Sequence, residues 1–183
     1  SLREERASDP AMSLRLQALE HDVAGNHSAT EQAALEAWKT SQSPIDLINL
    51  CGFYRKTEQW AKLSPMAEQL SSLSPDPRSL WYRVESLYRT HLYKPCLDVI
   101  DKHQSIWLAP SLLDHLRRIE IECLIKLNRL DRAVVQLEAI RRERPSTEVV
   151  QRLADAYFRL GRRDHAVRTL REAAAQPSAD THL

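Results

Sequence analysis

Residues 154–170, ADAYFRLGRRDHAVRTL, carry the pattern that decides the fold. Two helix-forming stretches are joined by Gly161, one of only three glycines in this chain of 183 residues. A tight turn at the end of a helix needs a residue that tolerates positive φ, and glycine does so without steric cost. A small residue after the turn, Ala166, and a large one before it, Tyr157, would let the two helices pack closely. The stretch therefore predicts a helical hairpin.

The same spacing of apolar and small residues recurs upstream. The units start at Pro44, Pro77, Asp114 and Thr147, which are 33, 37 and 33 residues apart. The turn position falls on Glu58, His91, Asn128 and Gly161. Each unit predicts two helices with apolar stripes too wide to be buried within one hairpin, so the hairpins must stack on one another.

This helix–turn–helix unit resembles the tetratricopeptide repeat (TPR) family over roughly residues 44–177, most strongly in the last two units. The resemblance implies an all-α fold, a right-handed TPR-like superhelix of antiparallel helix hairpins with about ten helices. We predict that residues 13–43 form a degenerate repeat or a capping helix pair. Residues 1–12 are expected to be disordered or frayed, and residues 178–183 to form a tail.

Three further features qualify the pattern. In the N-terminal region, one predicted stripe contains Leu14, Leu16, Leu19 and Val23, and its partner contains Ala33, Leu35, Ala37 and Trp38. Pro65 predicts either a kink or a new helix capped by Ser64. An insertion, KHQSIWLAP at residues 102–110, precedes the third unit. Beyond Pro177 no capping helix is predicted, so the last unit should expose an apolar face. This indicates that the protein continues or that a partner, including a second copy, binds there.

Composition and charge exclude several classes of protein. The formal net charge is +1, with 7 basic and 11 acidic residues in 1–76 and 11 basic and 8 acidic residues in 129–183. This is far from the basic stripe of a nucleic-acid binder, so nucleic acid is not an expected partner. No apolar run is long enough for a membrane span. With three glycines and no Gly-rich phosphate loop, no cofactor is expected.

Neither the cysteines nor the histidines indicate a reactive site. Cys51, Cys96 and Cys123 show no CxxC spacing, which favours buried free thiols in a reducing compartment over a disulfide framework or a zinc site. Seven scattered histidines form no metal or catalytic motif. Cys96 and His103 share a helix face, but Cys96 occupies a packing position. We therefore expect no catalytic residue, no metal and no enzymatic activity. The chain shows no signal peptide and no initial methionine, and a cytoplasmic location is expected.

The resemblance implies a ligand groove lined by the first helix of each unit. The residues of this sequence that match the family's groove positions, together with one neighbouring aromatic residue, are Arg55, Arg78, Trp81, Tyr82, Glu85, Tyr88, Arg89, Arg118, Glu122, Gln151, Asp155 and Arg159. Trp81 and Tyr88 form an aromatic stripe that could anchor a peptide or pack against the next repeat. A basic residue recurs near the end of each first helix and could hold an acidic segment, or serve only as a solvated helix end.

These features predict a non-enzymatic protein- or peptide-binding scaffold that is part of a larger protein or assembly. Its Arg- and Ala-rich, Lys-poor helices are typical of a bacterial protein. One alternative is a secretion-type chaperone for a protein cargo. Another is a regulatory or substrate-positioning segment of an enzyme whose catalytic domain lies elsewhere. An RNA-binding array would need a recurring pair of base-reading residues in each unit, and the groove positions differ too much for that.

Overall fold

A computed structural model of the chain describes residues 10–106 and 110–175. These residues contain ten α-helices, one short 3-10 helix and no strand. The prediction of an all-α chain of about ten helices is therefore confirmed for the part of the chain that the structure describes. The contacts divide the chain into two compact units, with the boundary after Leu92.

The first unit is built from five helices. They are α1 (Pro10–Val23), α2 (His27–Ser41), α3 (Pro44–Lys56), α4 (Trp60–Leu73) and α5 (Pro77–Arg89). Each helix packs against the next one in sequence, and α3 also contacts α5. Contact between the first helices of successive hairpins is what a stack of hairpins requires.

The second unit has the same plan. Its helices are α6 (Tyr93–Lys102), the 3-10 helix (Gln104–Ile106), α7 (Pro110–Lys126), α8 (Leu130–Glu143), α9 (Thr147–Arg159) and α10 (Arg163–Ala175). Successive α-helices again pack against one another. Helix α7 begins at Pro110, four residues before the predicted start at Asp114, because part of the insertion contributes its first turn.

Five turns between helices share one backbone geometry. Their φ angles are 73° at Gly25, 56° at Glu58, 62° at His91, 56° at Asn128 and 75° at Gly161. In each turn the next residue donates its N–H to the carbonyl five residues earlier, at 2.7 to 2.9 Å. This is the Schellman motif, which satisfies carbonyls left open at a helix end. The predicted positive φ at Asn128 and Gly161 is confirmed, and Gly25, 33 residues before Glu58, extends the same turn to the α1–α2 pair.

The N-terminal apolar stripe does not pack as the sequence suggested. Leu16, Leu19 and Val23 are 57%, 60% and 83% exposed, whereas Ala11 is buried. Ala11 lies on the same side of α1 as Leu14 and Ala18, which are half-buried. Helix α2 meets this side with small residues such as Ala33 and Ala37, both buried. The prediction for Leu16, Leu19 and Val23 was therefore wrong, because small residues bring the two helices together on the adjacent face.

Pro65 lies within a single helix, α4, and its side chain is exposed. The predicted alternative of a new helix starting at Ser64 is wrong, since the helix continues from Trp60 to Leu73. An exposed proline near the start of a helix removes one backbone N–H where water can reach the unpaired carbonyl. The predictions for residues 1–9 and 178–183 lie outside the described residues, and helix α1 already begins at Pro10.

Candidate functional site

The first unit contains a cleft of about 460 Å³ whose lining comes largely from α1, α3 and α5. These are the first helices of three successive hairpins, the surface on which a ligand groove was predicted. The lining includes Leu19 of α1, Ile48, Asn49 and Gly52 of α3, and Arg78 of α5. The volume is within the range of pockets that hold a small ligand or a side chain of a bound peptide.

Gly52 keeps the cleft open at its centre. A Cβ atom added at Gly52 would lie 3.5 Å from the hydroxyl oxygen of Tyr82, an ordinary van der Waals contact. An alanine would therefore fit, whereas a larger side chain would occupy space in the cleft. Beside Gly52, Ile48 is half-buried and Leu19 is exposed. The lining at this point is apolar and accessible.

One wall of the cleft is fixed by a buried carboxylate. Asp46, only 2% exposed, accepts from Arg15 Nε at 2.6 Å and from Arg15 Nη2 at 2.8 Å, and it also accepts from the Ser41 hydroxyl. The hydrogen bond from Arg15 lowers the pKa of Asp46, and burial opposes this effect. A bidentate arginine–carboxylate pair holds both groups in one geometry. The pair thus fixes α1 against α3, where the cleft is formed.

Most charges near the cleft have partners within the protein. Lys56 Nζ lies 2.9 Å from both carboxylate oxygens of Asp22. Arg55 Nε donates to Glu85 Oε2 at 2.5 Å, and this hydrogen bond raises the pKa of Arg55. Arg78 differs: it is exposed and has no ion-pair partner among residues 10–106 and 110–175. Its guanidinium is the cleft cation that can receive a carboxylate from a ligand.

The predicted aromatic residues lie at different depths. Tyr82 is 6% exposed and belongs to the core of the first unit, with its hydroxyl 3.4 Å from Arg78 Nε. Trp81 is half-buried and packs against the same core, and Tyr88 is half-buried. The guanidinium of exposed Arg89 lies 5.1 Å from the ring centre of Trp60. The structure thus brings Arg78 and Tyr82 together but places the Tyr82 ring in the core instead of on the surface.

The remaining predicted groove residues belong to the second unit. Arg118, Gln151, Asp155 and Arg159 are exposed, and Glu122 is half-buried. Glu122 accepts a hydrogen bond from Arg152, and Arg159 Nη2 lies 3.4 Å from Asn128 Oδ1. A smaller cleft of about 260 Å³ is lined in part by Arg118 and Arg152, both cationic. Of the predicted residues in this unit, only Arg118 lines it.

Sequence reasoning missed the contribution of α1. Arg15, Leu19 and Asp22 line the cleft although no groove position was assigned in that helix. A signal was present in the charges, since Arg15 pairs with Asp46, 31 residues later, and Asp22 with Lys56, 34 residues later. Opposite charges at about one repeat length mark helices that stack side by side.

The described residues hold no cluster of three or more histidine, cysteine or acidic side chains that could bind a metal. All three cysteines are buried free thiols, as predicted. Burial raises the pKa of Cys51 to about 12, and the pKa of Cys96 is raised by a hydrogen bond with Cys123 and by burial. Within the described residues, no helix combines the length and apolarity needed to cross a membrane.

Solved structures of MamA share this fold. One described as "Crystal structure of MamA protein" is 13% identical, with a TM-score of 0.73, and the match covers 89% of both chains. "MamA MSR-1 C2" is 17% identical with a TM-score of 0.68, covering 90% of this chain and 94% of that one. "MamA RS-1 ArsTM double mutant" is 12% identical with a TM-score of 0.69, covering 91% and 94%. Likeness at these identities shows the fold alone.

No protein-family model matches the chain, and the search of curated proteins also gives no match. The class that the structure defines is therefore an all-α protein of stacked helical hairpins, with the fold found in the MamA structures.

Proposed function

We propose that this chain is a non-enzymatic scaffold of the TPR type that binds a protein or peptide segment in the cleft of its first unit. The observation that carries the proposal is the open, apolar cleft on α1, α3 and α5, with the unpaired cation Arg78 among its lining residues. The shared turn at Gly25 supports counting α1 and α2 as a further hairpin of the same type. A protein cargo, as in a secretion-type chaperone, would present the same kind of segment.

The cleft defines the chemistry of the segment. Leu19 and Ile48 provide apolar contact area for one large aliphatic or aromatic side chain. Asn49 is exposed and can donate and accept hydrogen bonds with a peptide backbone. Arg78 can pair with a carboxylate in bidentate geometry. The ligand is therefore a segment with a bulky apolar residue close to an acidic residue or a terminal carboxylate.

The experiment is a selection from a library of random linear peptides displayed on phage, with the immobilised chain as target. A Gly52→Leu variant, whose side chain fills the cleft, is the counter-selection target. Gly52→Ala is the matched control, because its Cβ makes only an ordinary contact with Tyr82. We expect the enriched peptides to combine a bulky apolar residue with an acidic one and to bind the wild type and Gly52→Ala equally.

The Gly52→Leu variant should bind these peptides at least about tenfold more weakly, since the apolar side chain loses its pocket. Circular dichroism and the unfolding midpoint must show that this variant is folded. Selected peptides that bind wild type and folded Gly52→Leu equally well would contradict the proposal.

A further inference from the structure

The outer face of the last described hairpin, α9–α10, presents apolar side chains that are covered in the hairpin before it. Val134 and Leu137 in α8 are 5% and 1% exposed. The residues 33 positions later, Val167 and Leu170 in α10, are 45% and 47% exposed. Leu137 and Leu170 were matched in the sequence pattern of the repeat, so the comparison is between equivalent positions.

The first helix of the same hairpin shows the same contrast. Ile125 in α7 is half-buried against the core of the second unit. Its equivalent 33 residues later, Phe158 in α9, is 60% exposed. Three apolar positions on two helices therefore form one exposed face, where scattered single apolar residues would need no explanation.

The chain itself shows what kind of element covers such a face. Val134 and Leu137 pack in one core cluster with Leu153 and Tyr157, which are 0% and 5% exposed and belong to α9. Helix α9 is thus an amphipathic helix lying on the α7–α8 hairpin. Its apolar positions are spaced three and four residues apart, on one side of the helix.

Charge pairs accompany this apolar contact. Glu122 of α7 is paired with Arg152 of α9. Asp131 of α8 is paired with Arg162, at 2.8 Å, in the turn that follows α9. The covering element therefore supplies one arginine from its helix and a second one ten residues later.

The equivalent acids on the outer face lack such partners. Asp155 and Asp164 are 33 residues after Glu122 and Asp131, and both are exposed. Neither makes an ion pair or a side-chain hydrogen bond within residues 10–106 and 110–175. They flank the apolar positions as Glu122 and Asp131 flank theirs, so the face is complementary to an apolar element with flanking positive charges.

We propose that the outer face of the α9–α10 hairpin docks an amphipathic helix of a partner protein, apolar on one side and carrying two arginine or lysine residues about ten positions apart. The apolar side covers Phe158, Val167 and Leu170, and the two cations pair with Asp155 and Asp164. One difference from the inner template is Arg171, which stands where Glu138 accepts from the Tyr157 hydroxyl. The partner helix therefore has no need of a tyrosine at that position. This surface is separate from the cleft of the first unit, and the proposal does not depend on the function proposed above.

The probe is a synthetic peptide with the sequence of residues 146–163, acetylated and amidated, since these residues form the covering element one hairpin earlier. It is titrated at low ionic strength into the full chain carrying 15N and 13C-methyl labels. Saturable shifts are expected for Val167, Leu170, Asp155 and Asp164. A scrambled peptide of the same composition is the control for non-specific binding.

Charge swapping makes the test specific. Replacing both arginines of the peptide, the equivalents of Arg152 and Arg162, by glutamate should weaken binding by about tenfold, because two attractive pairs become repulsive. The Asp155→Arg/Asp164→Arg variant of the protein should bind this reversed peptide better than the original one. A Leu170→Glu variant, changed only at a half-exposed position, should stay folded and lose binding of every peptide.

Three outcomes overturn the proposal. The first is the absence of any shift on this face at millimolar peptide. The second is equal binding of the original and reversed peptides. The third is concentration-dependent self-association of the unliganded chain that Leu170→Glu abolishes, because a second copy would then occupy the face in place of a basic helix.

Discussion

Glu58 and Gly161 adopt the same left-handed backbone conformation at the ends of equivalent helices, with φ of 56° and 75°. Glycine reaches this region freely, whereas a residue with a Cβ pays about 1 kcal/mol or more. The fold therefore enforces the turn even where the residue opposes it. The stacked helices on both sides provide the stabilisation that a strained position requires.

The first prediction concerns this turn. Glu58→Gly should raise the free energy of unfolding by about 0.5–1 kcal/mol, because relief of the left-handed strain outweighs the greater freedom of glycine in the unfolded chain. The measurement is the urea unfolding midpoint. Gln69→Gly, at an exposed position inside α4, is the matched control and should lower the free energy of unfolding by about 1 kcal/mol. A destabilised Glu58→Gly variant would show that the turn is not under strain.

The second prediction concerns the buried pair in the cleft wall. Arg15→Ala should lower the free energy of unfolding by about 3 kcal/mol at pH 7, because it leaves the Asp46 carboxylate buried without its counter-ion. Arg162→Ala, at the exposed pair with Asp131, is the control and should change stability by less than about 1 kcal/mol. Equal effects of the two substitutions would contradict the structural role of Arg15.

The pH dependence of this effect follows from the lowered pKa of Asp46. The stabilisation by the pair is present above the ordinary carboxyl pKa of the unfolded chain, about 3.9. It is lost as the pH falls through the lower pKa of the folded state. The difference in stability between wild type and Arg15→Ala should therefore shrink in this acidic window. A difference that grows as the pH is lowered would have the wrong sign.

The third prediction separates the ring of Tyr157 from its hydroxyl. The ring is buried among the helices of the second unit, and the hydroxyl donates to Glu138. Tyr157→Ala should cost about 3–5 kcal/mol in unfolding free energy, as for other buried aromatic residues. Tyr157→Phe keeps the ring and should cost only about 1 kcal/mol. Equal losses for the two variants in chemical denaturation would show that the hydroxyl, not the packing of the ring, dominates.

The fourth prediction concerns the thiols. Burial raises the pKa of Cys51 to about 12, so almost no thiolate is present at pH 8. Modification of the native chain by a disulfide reagent should therefore be slow and should accelerate in denaturant to the rate of an exposed cysteine. Rapid modification of Cys51 in the folded chain would contradict its burial.

The hairpin repeat was predictable because its cause is local. Turn residues with positive φ, such as Gly161 and Asn128, and small residues after them, such as Ala166, can be recognised in the sequence. The start of α7 was displaced because the insertion before it obscures the unit boundary. Periodicity also failed to show which side of α1 is buried. Leu16 and Leu19 form an apolar stripe, but contact with α2 uses the smaller residues beside it.

The site was predictable only in part, because depth is a property of the stack and not of a single helix. The groove positions correctly included Arg78, which lines the cleft. They also included Tyr82, whose ring the neighbouring hairpin buries. Arg15 and Asp22 were missed, since their roles depend on ion pairs with residues about one repeat away.

The most direct test of the central claim is methyl NMR of the full chain titrated with a peptide selected on the wild type. The claim is that the first-unit cleft seats an apolar side chain next to Arg78. It predicts saturable shifts of the Ile48 and Leu19 methyl groups, which disappear when the bulky apolar residue of the peptide is replaced by glycine. Binding that leaves the Ile48 and Leu19 methyl groups unperturbed while shifting residues of the second unit would contradict the claim.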